Sequence, residues 1–120
     1  MARQFVILVV EDETQVRDFV AELLTGAGFS VLVAGDAYEG IRIIAERHVD
    51  LLFTDIVMPG ASGFDLAAQA KLIRPHLKVL YSTGFAEKAK GRFGPRYGTL
   101  LEKPIRAEVL TSEVRRALAL

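Results

Sequence analysis

The chain has 120 residues, 51% of them apolar and 25% charged, enough for one domain with a real hydrophobic core. Its 15 Lys and Arg residues balance 15 Asp and Glu, so no global field draws in nucleic acid or an anionic membrane. Cysteine is absent, which excludes disulfides and thiol chemistry.

The apolar run Phe5–Val10 comes first. It is too short for a signal-peptide core or a membrane span, and Glu11-Asp12-Glu13 follows directly, so a cytoplasmic protein is expected. Apolar without alternation, the run reads as a strand of a parallel sheet covered on both faces. Residues 14–25 carry Val16, Phe19, Val20, Leu23 and Leu24 at the spacing of one helical face, and Gly26 and Gly28 supply a stop. A second strand is predicted over 30–35, then a helix over Ala37–Arg47 with Ile41, Ile44 and Ala45 inward. The third strand spans 50–55, and after the turn VMPGASG a third helix spans 64–73, ended near Pro75. Strands four and five are read over 78–84 and 99–104. The last helix runs from Ala107 to Leu118 with Val109, Leu110, Val114 and Leu118 on one face. Between strands four and five, Gly91, Gly94, Pro95 and Gly98 leave only a short or irregular helix over Ala86–Lys90, then loop. Five βα units with short loops predict one doubly wound α/β domain over residues 1–120, a parallel sheet with helices on both faces.

The strands end in polar residues. The first stops at Glu11-Asp12-Glu13, the third at Asp55, the fourth at Ser82-Thr83-Gly84 and the fifth at Lys103-Pro104. In an open parallel sheet, ligands bind outside the carboxyl ends of the strands, so these residues share one edge. Carboxylates gathered closely repel one another and raise some of their pKa values unless a cation is present. A few carboxylates completed by water suit Mg²⁺. Lys103 adds a fixed positive charge and Thr83 a hydroxyl donor. An aspartate so placed can act as a nucleophile toward a phosphoryl group whose charge the metal neutralises.

Taken singly, each residue has a plainer reading. Asp55 alone would cap the following turn; Glu11, Asp12 and Glu13 would cap the first helix, with Glu13 the better placed. Thr83 alone would satisfy a strand-end backbone group, and Lys103 would be a solvated strand end. The combination favours a site. His48 and His76 are expected at the surface, and Lys88, Lys90, Arg92 and Arg96 read as a solvated loop rather than a docking patch, interrupted by Gly and Pro and without the stacked aromatic pattern that nucleic-acid binding wants.

VVEDE, LLFTDIVMPGASGFD, YSTG and LLEKP, in that order and at these distances, resemble a response-regulator receiver domain of two-component signalling. The resemblance covers essentially the whole chain. It implies the flavodoxin-like strand order 2-1-3-4-5 and a cis Lys103–Pro104 bond. It makes Asp55 the acceptor of a phosphoryl group from a sensor-kinase histidine, Asp12 a direct Mg²⁺ ligand, Glu11 a ligand through water and the Val57 carbonyl a further ligand. Thr83 becomes the switch hydroxyl and Lys103 the lysine that contacts the phosphoryl group. The implied partners are a sensor histidine kinase, or a hybrid kinase or phosphotransfer protein, and a downstream target; the implied state is a monomer or weak dimer.

The chain departs from the family at Leu100, where many members carry an aromatic residue that changes exposure on activation. Phe85, Phe93 or Tyr97 stand as replacement candidates, with the 85–98 loop as an alternative route for the switch. Val57 and Phe85, each two residues beyond Asp55 and Thr83, place apolar groups along the path of attacking water, which predicts slow self-dephosphorylation. A stand-alone receiver and a receiver cut from, or acting beside, a hybrid kinase remain open alternatives. An Asp-nucleophile phosphohydrolase would need an acid where Val57 stands, and a flavin or dinucleotide protein would need a Gly-rich or hydroxyl-rich first loop where EDETQ stands. A pseudo-receiver that never takes phosphate would not need the full set of acids, Asp55, Thr83 and Lys103.

Overall fold

A computed structural model describes residues 4–84 and 99–120. Within them lie strands β1 (Val6–Val10), β2 (Ser30–Ala34), β3 (Leu51–Asp55), β4 (Lys78–Thr83) and β5 (Thr99–Glu102). The helices are α1 (Thr14–Gly26), α2 (Ala37–Glu46), α3 (Gly63–Ile73) and α4 (Ala107–Ala117). The strands form one sheet in the order β2-β1-β3-β4-β5, every neighbouring pair parallel. The short helix expected over Ala86–Lys90 lies outside the described residues.

Strand alternation divides the core into two layers. Leu8, Val10 and Leu52 project to one face and pack with Ile44 of α2 and Leu66 and Ala70 of α3. Ile7, Val9, Leu51 and Phe53 project to the other and pack with Val20 and Leu24 of α1 and Leu110 and Val114 of α4. Both faces of β1 and β3 are therefore covered, which is why their sequences show no alternation. Each such Val, Leu or Phe side chain removed from water contributes about 1.5–3 kcal/mol.

The helix stripes are narrower than the sequence suggested. Ala37, Gly40 and Ile44 are buried in α2 and Ile41 half-buried, while Ala45 is exposed on the flank of the stripe rather than inward. Phe19 is 46% and Val109 40% exposed, because Val20 with Leu24, and Leu110 with Val114, already fill the layer beneath α1 and α4. Side-chain caps begin α2 and α3. Asp36 accepts from the Glu39 amide at 2.9 Å. Ser62 and Asp65 form a reciprocal capping box, which begins α3 at Gly63. Glu13 occupies the N-cap position of α1, but its side chain makes no capping bond. The Lys103–Pro104 peptide is cis. No helix among the described residues is long and apolar enough to cross a membrane.

Candidate functional site

The sheet register decides where the strand-end residues stand. Val10 pairs with both Ala34 and Thr54, Asp55 with Ser82, and Thr83 with Glu102, so the strands stop at nearly one level. Backbone bonding continues one residue beyond the strands: Glu11 N–H donates to Ala34 O at 3.1 Å, Ile56 N–H to Ser82 O at 3.0 Å and Lys103 N–H to Thr83 O at 3.0 Å. The polar residues are thus mounted on the sheet rather than on free loops.

Glu11, Asp12 and Asp55 come together, each offering a carboxylate oxygen within 4.8 Å of the others. Glu11 and Asp55 are buried and Asp12 is exposed. Lys103 Nζ lies 2.7 Å from Glu11 Oε1 and 3.1 Å from Asp55 Oδ2, bridging the two buried acids. Glu11 Oε2 accepts from the Glu13 amide at 3.1 Å. Asp55 Oδ1 is buried and has no hydrogen-bond partner among the described residues.

Burial raises the pKa of Glu11, opposed by hydrogen bonds from Lys103 and the Glu13 amide and reinforced by the Asp55 charge. Burial likewise raises Asp55; Lys103 opposes it and the Asp12 charge adds to it. Burial pulls Lys103 down, but its bonds to Glu11 and Asp55 outweigh this and hold the ammonium above its ordinary value. Counted formally, the three grouped carboxylates outnumber the one ammonium that bridges two of them, so the cluster carries surplus negative charge. A buried acceptor with no partner, beside hard oxygen donors carrying surplus negative charge, fits a divalent cation such as Mg²⁺.

Thr83 is buried at the end of β4, with its carbonyl held by Lys103. Val57 sits in the turn after β3 and is 57% exposed. His48 and His76 are exposed, as expected. His48 Nε2 lies 2.8 Å from Asp50 Oδ1, and Asp50 Oδ2 accepts from the Val6 amide at 2.8 Å, both at the opposite end of the sheet. Phe85, Phe93, Tyr97 and the basic stretch Lys88–Arg96 lie outside the described residues.

Two supports of the site were not anticipated. Gly63 N–H donates to Ile56 O at 2.9 Å, and its Cα stands so close to β3 that a Cβ there would lie 2.1 Å from Asp55 O. Arg17 Nη1 donates to Glu11 O at 3.0 Å. For the first, the Ser-x-x-Asp capping signature at Ser62–Asp65 was an available signal; for the second there was none in the local pattern.

The layout has solved counterparts. A CheY-like response regulator receiver domain from Methanospirillum hungatei matches with a TM-score of 0.88 at 28% identity, covering 98% of this chain and 95% of that one. The receiver domain of the hybrid histidine kinase CckA matches with a TM-score of 0.81 at 35% identity, covering 94% and 98%. The response regulator receiver protein CpdR of Brucella abortus is 35% identical over 114 residues, 93% of this chain and 95% of that protein. Several NtrC transcriptional regulators also match, but the chain spans only 24% of their length. The model of the response regulator receiver domain family matches residues 7–115, and with the strand order and the acidic edge in agreement, the chain belongs to that family.

Proposed function

We propose that residues 1–120 form one receiver domain that takes a phosphoryl group on Asp55 in a Mg²⁺-dependent reaction and binds partners differently before and after. The observation that carries this reading is the buried Asp55 carboxylate, one oxygen held by Lys103 and the other without a partner among the described residues. Glu11, Asp12, Asp55 and the Val57 carbonyl would hold the Mg²⁺, which when bound neutralises charge on the transferring phosphoryl group. An Asp55 oxygen attacks phosphorus, the bond from phosphorus to the donor breaks, and the donor, a kinase or phosphotransfer histidine, leaves with the bonding electrons and takes up a proton. Lys103, already at Oδ2, is placed to meet the new negative charge, and Thr83 ends the neighbouring strand within the same edge. The sheet also fixes the Asp55 backbone, so little reorientation precedes attack.

The protein acts on itself, as a switch. Val57, rather than an acid, follows two residues after Asp55, which leaves a phosphohydrolase without a general acid at that place. The partners are a histidine kinase, a hybrid kinase or a phosphotransfer protein on the input side and a target protein on the output side.

Intact mass after incubation with acetyl phosphate tests the reading, with and without Mg²⁺, on the parent and Asp55→Asn. A Mg²⁺-dependent gain of one phosphoryl group, absent in Asp55→Asn, is expected. A parent that gains nothing from acetyl phosphate or from a phosphorylated histidine kinase would overturn it and leave an interaction module that is never phosphorylated.

A further inference from the structure

A second cation stands at the acidic turn without touching the carboxylates. Arg17, on α1, is half-buried; its Nη1 donates to the Glu11 carbonyl at 3.0 Å and its Nη2 lies 3.5 Å from Thr14 Oγ1. Its own amide donates to Glu13 O at 2.9 Å. One residue therefore binds both neighbours of Asp12, Glu11 through its side chain and Glu13 through its backbone.

The guanidinium needs room, and Gly35 provides it. A Cβ on Gly35 would stand 3.1 Å from Arg17 Nη1, with no other heavy atom within 4 Å outside its chain neighbours. Gly35 follows β2 directly, and the preceding Ala34 accepts from the Glu11 amide at 3.1 Å. The end of β2, the guanidinium and the acidic turn are thus packed as one unit.

We propose that Arg17 is a positioning residue of the phosphoacceptor centre: seated in the room left by Gly35, it pins the Glu11 carbonyl and so fixes where Asp12 presents its carboxylate to the divalent cation. The inference rests on the reading of Glu11, Asp12 and Asp55 as the cation site. The consecutive acids Glu11, Asp12 and Glu13 repel one another, and an exposed Asp12 on an unpinned turn would have to be ordered each time a cation binds. Holding the turn beforehand removes that cost from the binding step. The planar guanidinium reaches the Glu11 carbonyl and the Thr14 hydroxyl from two nitrogens, which a lysine cannot reproduce.

Titration of the metal-free chain with Mg²⁺ alone, followed by the amide resonances of Asp12 and Glu13, tests this in the parent, Arg17→Ala, Arg17→Lys, Gly35→Val and the Arg17→Ala/Gly35→Val pair. Arg17→Ala is expected to weaken Mg²⁺ binding about tenfold or more, the usual effect of losing a group that orients a metal ligand. Arg17→Lys should fall between it and the parent. Gly35→Val, which crowds the guanidinium without touching a carboxylate, should also weaken binding, and the pair should bind no more weakly than Arg17→Ala alone. Parent affinity in Arg17→Ala, with only thermal stability reduced, would overturn the inference in favour of a purely structural arginine. If Arg17→Ala does not fold, parent affinity in both Arg17→Lys and Gly35→Val overturns it equally. A parent that does not bind Mg²⁺ would overturn the cation site itself and this inference with it, a result distinct from binding in the parent that is indifferent to Arg17.

Discussion

Gly63 is where the site and its support come closest, and Gly63→Ala measures how little room is left. Gly63 opens α3, is buried, and its amide bonds to Ile56 O. The added Cβ would lie 2.1 Å from Asp55 O and 3.0 Å from both Asp55 C and Ile56 Cα. An ordinary carbon–oxygen contact is about 3.3 Å, so the methyl group overlaps the carbonyl by more than an ångström. The atoms it meets are backbone, with no rotamer to escape into. Crowding of this kind costs about 1–3 kcal/mol and occasionally more. The helix preference of Ala over Gly returns at most about 1 kcal/mol in a helix interior, and less at a first helical residue. The expected net loss is about 2 kcal/mol, which lowers the melting temperature by roughly 6–12 °C for a domain of this size. Gly26→Ala is the matched comparison: it adds the same methyl group in α1, where nothing lies within 4 Å, and should be neutral or stabilising by up to about 1 kcal/mol. Urea and thermal unfolding of the two variants beside the parent give both values, and acetyl phosphate uptake should slow in Gly63→Ala because the Asp55 peptide must move. A Gly63→Ala protein as stable as the parent would refute the close approach on which the estimate depends.

Three other outcomes follow from the site's charge. Mg²⁺ at one hundred times its dissociation constant should stabilise the fold by about 2.7 kcal/mol, and Asp12→Asn should remove most of that gain in thermal denaturation. Without metal, burial holds Glu11 and Asp55 above their ordinary values of 4.5 and 3.8, so the folded state binds more protons than the unfolded chain between those values and the raised ones. The stability these two groups contribute is therefore full below their ordinary values and falls as pH rises through the raised ones. Metal-free Asp55→Asn should accordingly be more stable than the parent at pH 7, with the advantage gone near pH 4 in urea titrations; equal stability at pH 7 would mean that the Lys103 contacts fully offset burial. Val57→Asn offers attacking water a hydrogen bond beside Asp55, worth about 1 kcal/mol, and should speed loss of the phosphoryl group several-fold when decay is followed by intact mass.

The sheet and its polar edge were legible because a parallel topology converts position in sequence into position in space. Four of the five apolar runs end in polar residues, and parallel strands bring such ends to one level, so Glu11, Asp12, Asp55 and Lys103 group from the sequence alone. Burial within the helices was less legible. Phe19, Ala45 and Val109 are apolar and lie near the right stripe, yet face outward, because hydropathy does not report how much of a layer one larger neighbour already fills. The supports were hidden for a different reason. Arg17 acts through the backbone carbonyl of Glu11 and depends on the missing side chain of Gly35, and neither a carbonyl nor an absence of atoms leaves a mark in residue type.

The same geometry bears on how a phosphoryl group at Asp55 would be read. Replacing the carboxylate charge of −1 by a group carrying roughly −2 makes the edge more negative, and the groups that must respond are those already bonded there. Lys103 is bonded twice, through Nζ to Glu11 and Asp55 and through its amide to Thr83 O. Any displacement of the lysine is therefore shared between the ends of β4 and β5. One level below, Tyr81 of β4 pairs in register with Leu100 of β5. With leucine on β5, the ring at this level belongs to β4, where Tyr81 is buried and packs at 4.8 Å and 50° against Phe64 of α3. An exposed ring on β5 swinging inward is not an available signal at Leu100. A shift passed down β4 instead meets a buried aromatic contact with α3, the helix whose first residue, Gly63, is bonded to the residue that follows Asp55. The strand that carries Asp55, β4 and α3 thus form a closed loop of contacts, and a charge added at its apex would be felt on both sides of it.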